Sequence, residues 1–317
     1  MAESVHATST TTPSDAFSRS DWRVAGALTK TIRPPGRISG FRLLTYIVLS
    51  LAAVIYVFPF LWMLGKSLMT LFEATSTAVI PSDLQFVNYQ TVLGQYHFGQ
   101  YFFNTVILEV LTVTGQTVVS VLAAYAFARM KFPGRDLIFA IFLLTIFVPS
   151  IVLLVPNVVL VTNISKAFES ISPSLKWLNN WPALVIPFLG NTFSIFLLRQ
   201  FFKQIPEDLW DAARIDGASH LRYLVQVVVP LSRAAVLTTV LFAFIGTWNA
   251  LEWPLLVTTD ERWRPIAVGL QLFRQEGGEN THLLMAASVV SMVPILILYF
   301  ITQKQFTEGI TTTGLKG

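Results

Sequence analysis

Cysteine is absent from the 317-residue sequence, and charged residues make up only 13% of it. Without cysteine, the chain has neither a disulfide framework nor a thiolate metal site. Its four histidines are scattered and show no metal-ligand spacing. Because an ordinary globular protein carries about 25% charged residues, the low charge and the 53% hydrophobic content indicate that lipid surrounds most of the chain.

Several functional classes find little support in the sequence. The net charge is only +4, and the basic residues are not gathered on one stretch, so we expect no nucleic-acid partner. No Gly-x-x-x-x-Gly-Lys-Ser/Thr loop is present to hold a nucleotide phosphate, so we expect no ATPase site and no bound cofactor in this chain. No convergent set of acids, bases or metal ligands favours a membrane enzyme.

Long apolar stretches dominate the remaining sequence. A helix needs about 20 mostly apolar residues to cross the hydrocarbon core of a bilayer. None of the stretches alternates apolar and polar residues, so we predict helices rather than strands. The fold class is therefore an all-α membrane protein, and its six predicted spans are residues 43–65, 104–128, 137–161, 177–198, 234–256 and 283–303.

The two ends of the chain differ in character. Residues 1–40 are polar and rich in serine and threonine, which predicts a mobile tail, and residues 41–317 form one transmembrane domain. With the amino terminus inside, the inner segments hold sixteen lysines and arginines and the outer segments six. This asymmetry predicts a multi-pass protein of the inner membrane with both termini in the cytoplasm.

The cytoplasmic loop of residues 199–233 has structure of its own. Pro206, followed by two acidic residues, predicts a helix start, and Gly217 predicts its stop. Ser219 is placed to cap a second helix, which Pro230 ends before the fifth span. The second helix is predicted to be amphipathic, with one apolar stripe of Leu221, Leu224, Val225, Val228 and Val229.

The first helix of this loop has two adjacent alanines, Ala212 and Ala213, which leave one of its faces nearly smooth. A smooth face lets another surface approach closely. The residues alone leave two interpretations open, a helix resting on lipid headgroups and a helix that docks a partner protein.

The same loop resembles the Glu-Ala-Ala (EAA) loop of permease subunits in ABC importers. The matching residues are Asp211-Ala212-Ala213-Arg214-Ile215-Asp216-Gly217-Ala218, followed at the family's spacing by Pro230-Leu231. Asp211 stands where the family has glutamate, which keeps the charge and shortens the reach of the side chain. Val229 stands in place of the leucine before the proline, and Ala234 occupies a position where a second proline is common.

Three further segments are similar to the MalG-like carbohydrate permeases within that family. They follow the second span, lie within the fifth span and close the chain. Their residues are Ala123 to Arg129 with Phe132-Pro133-Gly134-Arg135, then Thr247-Trp248-Asn249 with Glu252-Trp253-Pro254, and finally Gln303 to Phe306 with Gly309, Gly314 and Lys316-Gly317. The resemblance covers the chain from about Phe41 to its end.

The resemblance implies a type I ABC importer permease fold with a cytoplasmic coupling helix between spans four and five. It implies four kinds of partner besides the lipid bilayer: a second permease subunit, two ATPase subunits that bind ATP and magnesium, and an extracellular solute-binding protein. The residues expected to contact the ATPase are Asp211, Ala212, Ala213, Asp216, Gly217 and Ala218. The alternative role for Gly217 is that of a helix terminator only.

Polar side chains inside spans are costly and usually face protein or water. Asn249 and Glu252, three residues apart, are predicted on one helix face with Trp248 and Trp253 beside them, an arrangement that suits sugar hydroxyls and ring faces. We name these four residues and Glu109 as the candidate solute path. The alternatives are interfacial anchoring for the tryptophans, a hydrated position for Glu252, and an interhelical hydrogen bond for Glu109.

Two functions from different classes follow. The first is a transmembrane permease subunit that imports a sugar or related solute, driven by ATP hydrolysis in partner subunits. The second is an ion-coupled secondary transporter, a class that commonly has paired broken helices and embedded charges in matching halves. The sequence shows no such symmetry, and it does not identify the solute.

Overall fold

A computed structural model of the protein describes residues 40–275 and 280–313, and all of the regular secondary structure in these ranges is helical. The predicted polar tail, residues 1–40, lies outside the described residues apart from Gly40, and so does the end of the closing motif after Thr313. The chain divides into two compact units, Met1–Phe58 and Pro59–Gly317.

Fifteen α-helices are described within those ranges. Short 3₁₀ turns follow several of them, and a π-helical stretch, Leu224–Val228, follows α10. The helices are α1 Gly40–Ser67, α2 Leu71–Thr75, α3 Val87–Gly94, α4 Phe98–Arg129, α5 Arg135–Leu144, α6 Ser150–Glu169, α7 Trp181–Val185, α8 Thr192–Gln204, α9 Asp208–Ile215, α10 His220–Tyr223, α11 Val229–Leu231, α12 Arg233–Trp248, α13 Glu252–Val257, α14 Ile266–Gln275 and α15 Thr281–Thr313.

Four of these helices, α1, α4, α6 and α15, are long and apolar enough to cross a membrane. Two bent pairs bring the number to six if each pair is one span. Trp181–Phe188 meets Thr192–Gln204 at a bend of 43°, and His220–Leu231 meets Arg233–Trp248 at a bend of 85°. Six is the number of spans that the apolar stretches predict.

The third predicted span is wrong in its bounds. Residues 137–161 are not one helix, because α5 ends at Leu144 and α6 begins only at Ser150. Val148 between them is extended, with φ −85° and ψ 114°. Pro149 explains the break, because a proline disfavours helical geometry in the residue before it and donates no hydrogen bond of its own.

The fourth and fifth predicted spans also contain breaks. The fourth, residues 177–198, is interrupted just before Asn191, whose side chain accepts a hydrogen bond from the Ser194 amide and so caps α8. This helix continues to Gln204, beyond the predicted end. The fifth, residues 234–256, unwinds after Trp248 and resumes as α13. A break leaves backbone amides without their helical hydrogen-bond acceptors, and capping side chains supply acceptors in their place.

The interior of the second unit is organised around α4. One face of this helix packs against α8 and α12 and against α14, and it carries most of the buried polar side chains of the span. Polar groups are expected on the face of a span that is turned away from lipid. The buried polar residues of α4 are Asn104, Thr105, Glu109, Thr112, Gln116 and Ser120.

Candidate functional site

The segment with the EAA-like motif is a short helix with a well-defined end. The helix α9 covers Asp208–Ile215. Gly217 follows with φ +75°, its amide donates to the Arg214 carbonyl, and the Ala218 amide donates to the Ala213 carbonyl. These two bonds form a Schellman motif, in which glycine adopts the left-handed conformation that other residues avoid. The predicted helix stop at Gly217 is therefore confirmed.

The residues predicted to contact the ATPase divide into two groups by exposure. Asp211, Ala212, Asp216 and Gly217 are exposed, and Ile215 beside them has 87% of its surface accessible. Two alanines, at positions 213 and 218, are half-buried, and the first packs against the core of the chain itself. The smooth face open to another molecule is therefore narrower than the sequence predicts and centres on Ala212.

The second helix of the loop begins as predicted and then changes its winding. The Ser219 side chain accepts a hydrogen bond from the Arg222 amide and caps α10. The predicted single apolar stripe is wrong, because Leu224 and Val228 are buried, whereas other stripe members are exposed. The π-helical stretch explains this division, because it turns successive side chains by less than an α-helix does. The exposed members are Leu221 and Val225.

An aromatic group that the sequence analysis missed holds α9 against the transmembrane helices. The Trp210 indole of α9 stacks on the His220 ring at a centroid distance of 4.4 Å and an interplanar angle of 19°. His220 Nδ1 lies 2.8 Å from the Tyr125 hydroxyl of α4, and Trp210 also packs against Tyr223. These aromatic side chains lie on either side of the EAA-like motif and do not belong to it, so the motif did not predict their contacts.

The predicted solute path centres on the unwound part of the fifth span. Asn249 follows the last residue of α12 and Glu252 begins α13, so the prediction that the two share one helix face is wrong. Both residues nevertheless line one cavity of about 500 Å³, together with Asn157 of α6 and Trp253. The structure therefore brings three of the five predicted path residues to one place by means of a helix break.

The two tryptophans are anchored inside the protein. The Trp248 indole donates to the Ser291 carbonyl at 3.1 Å, and the Trp253 indole donates to the Ala183 carbonyl at 2.8 Å. Both side chains are buried, which disagrees with interfacial anchoring. Trp253 lines the cavity described above, whereas Trp248 packs in a cluster with Phe244 and Phe102.

A second cavity of about 320 Å³ lies between α4, α8 and α12. Its polar lining includes Thr112, Gln116, Asn191 and Ser194, and its apolar lining includes Phe188 and Phe242. The Gln116 amide lies 3.4 Å from the Ser194 hydroxyl, and the Thr112 hydroxyl has no hydrogen-bond partner within the described residues. Trp253 and Gly246 line both cavities, so the two are adjacent.

Glu109 stands apart from both cavities. Its side chain is buried, and neither carboxylate oxygen has a hydrogen-bond partner in the ranges that the structure describes. The alternative of an interhelical hydrogen bond is therefore wrong for the described residues. Glu109 is also not among the residues that line the two cavities. The structure does not group it with Asn249 and Glu252.

Sequence comparison relates the chain to membrane transport proteins. Residues 116–311 match the family described as "Binding-protein-dependent transport system inner membrane component". The chain is 36% identical over 281 residues to the trehalose/maltose transport system permease protein MalG of Thermococcus litoralis, covering 87% of this chain and 97% of that protein. It is 34% identical over 289 residues to the sulfoquinovosyl glycerol transport system permease protein SmoH of Agrobacterium fabrum, covering 89% and 98%.

The fold is also found in a solved structure. A chain of a bacterial ABC transporter involved in the import of the acidic polysaccharide alginate superimposes with a TM-score of 0.71 at 24% identity, covering 91% of this chain and 98% of that one. The predicted all-α permease fold is thereby confirmed. The family match extends over most of the chain and supports binding-protein-dependent import instead of ion-coupled transport. The chain therefore belongs to the family of inner membrane components of binding-protein-dependent transport systems, and it is a multi-pass permease subunit.

Proposed function

We propose that this chain is one of two permease subunits of an ATP-driven importer for a sugar or a related solute. The observation that carries the proposal is the short helix α9, which exposes Asp211 and Ala212, together with the exposed Asp216 that follows its last residue. A partner ATPase that seats this helix can displace it, and the rigid Schellman end at Gly217 passes the displacement to the following helix.

Carbohydrate is the favoured solute class because several of the matched permeases are named for carbohydrates. The matched permeases are named for trehalose and maltose, sulfoquinovosyl glycerol, and, in Bacillus subtilis, arabinooligosaccharides. The cavity at the break in the fifth span offers amide and carboxylate groups from Asn157, Asn249 and Glu252 next to the Trp253 ring. Hydrogen-bonding groups beside an aromatic face suit a sugar, because a sugar ring has hydroxyls at its rim and an apolar face.

The energy source lies in other subunits under this proposal. The sequence has no phosphate-binding loop, so ATP and magnesium are assigned to two partner ATPases. A solute-binding protein delivers the sugar to the face opposite α9. Alternation between inward-open and outward-open states then carries the solute through, as rigid groups of helices move about a central path.

The test is uptake by the whole complex. The chain, its second permease and the two ATPases are reconstituted into liposomes with the cognate solute-binding protein, and uptake of labelled trehalose, maltose and arabinooligosaccharides is measured with and without ATP. We expect one of these sugars to accumulate only when ATP is present. Accumulation that depends on an ion gradient and not on ATP would overturn the proposal.

A substitution on α9 tests the coupling surface within the same assay. Ala212 is exposed, so Ala212→Trp leaves the packing of the chain intact and fills the surface where the ATPase is proposed to seat. We expect uptake to fall by about tenfold or more, the range of coupling between two sites. Gln226→Trp, an exposed position on the π-helical stretch, is the matched control and keeps its uptake. Equal uptake by both variants would show that α9 is not the surface on which the ATPase acts.

A further inference from the structure

Arg129, in the last turn of α4, caps a helix other than its own. Its Nε and Nη2 atoms donate to the Phe202 carbonyl at 3.0 and 2.7 Å, and Nη2 also donates to the Ile205 carbonyl. In a continuing helix, the Phe202 carbonyl would accept from the amide four residues later, but that residue is Pro206, which has none. The guanidinium therefore replaces a hydrogen bond that the sequence cannot make, and its charge suits the negative end of α8.

Arg199 makes the reciprocal contact from α8 back to α4. Its Nε donates to the carbonyl of Phe127, in the last turn of α4, at 3.1 Å. Its Nη2 lies 3.2 Å from an Asp136 carboxylate oxygen, and the guanidinium lies 3.9 Å from the centroid of the Phe139 ring. The Arg199 side chain is 8% exposed. Each of the two helices thus has its carboxyl end capped by an arginine of the other.

This arginine pair borders the segment that contains α9. Ile205, which Arg129 holds, is three residues before the first residue of α9. At the far end, the Tyr125 hydroxyl of α4 lies 2.8 Å from Nδ1 of His220, whose ring stacks on Trp210. The last turns of α4 therefore contact the chain before α9 and the chain after it, and they reach α9 itself through the His220 ring.

We propose that Arg129 and Arg199 are positioning residues for energy coupling, which make α4, α8 and α9 move as one body when an ATPase displaces α9. This proposal rests on the proposed function. The physical reason is that each guanidinium is planar and always charged and has several donors, so it fixes both the direction and the distance between two helix ends. Without the pair, α9 is expected to move while the spans lag behind it.

The first experiment compares Arg129→Gln and Arg199→Gln in the reconstituted complex, with Arg135→Gln as the matched control. Substitution of Arg135 removes the same charge, but among the described residues its side-chain hydrogen bonds reach only the Met130 carbonyl and Asp136. The quantity measured is solute transported per ATP hydrolysed. We expect this ratio to fall by about tenfold in the first two variants while ATP hydrolysis continues, and to stay unchanged in the control.

The conservative variant Arg129→Lys keeps a charge and a donor at the end of α8, so we expect an intermediate ratio. A purely structural role would lower transport and hydrolysis together with the yield of complex, and that outcome would overturn the proposal. Equal ratios in Arg129→Gln and unsubstituted complexes would overturn the arginine-pair proposal alone. Absence of ATP-dependent uptake in the unsubstituted complex would overturn the proposed function.

A distance measurement decides the matter even if the glutamine variants fail to assemble. Because the chain has no cysteine, the substitutions Met130→Cys and Glu207→Cys allow two spin labels to be placed at exposed positions beside the arginine pair. In the assembled complex with both arginines present, we expect the distance between the labels to be the same in the nucleotide-free and ATP-bound states. A change of distance between these states would show that the ends do not move as one body and would overturn the proposal.

Discussion

Glu73 organises the loop that follows the first span. One of its carboxylate oxygens accepts from the Thr70 amide and hydroxyl, both at 3.0 Å, and the other accepts from the Ser82 amide at 3.1 Å. Hydrogen bonds, first from the Ser82 side chain and then from the backbone, lower the pKa of Glu73 to about 2. The carboxylate therefore joins the start of α2 to a segment nine residues further along the chain.

The lowered pKa predicts how this loop responds to acid. Its ionised carboxylate contributes fully above the usual pKa of 4.5, and the contribution is lost as pH falls from 4.5 through about 2. We expect the Thr70 and Ser82 amides to be protected from hydrogen exchange at pH 6 and to lose protection across that window, after correction for intrinsic rates. Glu73→Gln should lose the protection at every pH.

The matched control is Glu169→Gln, at an exposed position at the end of α6. It should leave the protection of the Thr70 and Ser82 amides, and its pH dependence, unchanged. Protection that persists in Glu73→Gln at pH 6 would show that the carboxylate does not hold the loop.

At the scale of elements, the turn after α9 depends on one glycine. Gly217 has φ +75°, and a Cβ atom built there would meet no atom within 4 Å. The cost of a side chain is therefore backbone strain without steric overlap, about 1 kcal/mol for alanine. Proline costs more, because its ring fixes φ near −65°, and the Gly217 amide that donates to Arg214 would be lost.

We expect Gly217→Ala to destabilise the purified complex by about 1 kcal/mol, measured as a lower midpoint of thermal unfolding, and to retain part of the uptake. Gly217→Pro should abolish ATP-coupled uptake. The matched control is Gly94→Ala, in the last position of α3, where a Cβ also meets nothing within 4 Å but φ is not positive. The control should be neutral or slightly stabilising. If Gly217→Ala left the unfolding midpoint as unchanged as the control does, the turn at position 217 would not be one that a side chain strains.

Hydropathy does not locate the breaks within the helices that cross the membrane. The breaks after Leu144, before Asn191 and after Trp248 all lie inside apolar stretches. Hydropathy does not reveal them, because it averages side-chain character and takes no account of the backbone hydrogen bonds of a helix. Proline alone does not decide the outcome, since Pro59, Pro156 and Pro294 lie inside α1, α6 and α15. Neighbouring helices and side chains that satisfy the freed groups determine which prolines a span tolerates.

At the scale of the whole molecule, the class of the fold follows from composition and apolar length. The bilayer imposes one length on every span, so apolar length indicates where spans lie; four helices of the described residues are long enough, and six spans result if each bent pair is one span. The helix α9 and its stop were readable too, because proline, acids and glycine act locally on the backbone. The ends of the spans were less accurate, and α8 runs six residues beyond its predicted end.

The contacts that hold the site together were not readable from sequence. In the sequence, Arg129 counts only as one of the sixteen basic residues of the inner segments, because charge statistics give the side of the membrane and not the bonding partner. Its partners are backbone carbonyls of Phe202 and Ile205, more than 70 residues away, and carbonyls are present at every position of a sequence. The cavity at Asn249 and Glu252 depends likewise on a break that the apolar pattern conceals.

The orientation of the whole chain remains a prediction from its lysines and arginines, sixteen inside and six outside. The direction of α9 depends on it, because a helix that meets an ATPase has to face the cytoplasm. The absence of cysteine makes a direct test possible, since each introduced thiol is the only one in the chain. Phe72, Lys131 and Ile171 are exposed and lie in three successive segments between the spans.

We expect Phe72→Cys and Ile171→Cys to react with a membrane-impermeant maleimide in intact cells, and Lys131→Cys to react only after the membrane is permeabilised. The physical reason is that two membrane crossings separate position 72 from position 171, whereas one crossing separates each of them from position 131. The unsubstituted chain, which has no thiol, is the control for background. Labelling of Lys131→Cys in intact cells would show that the topology is the inverse of the predicted one. The helix α9 would then lie outside the cell, where an intracellular ATPase could not contact or move it.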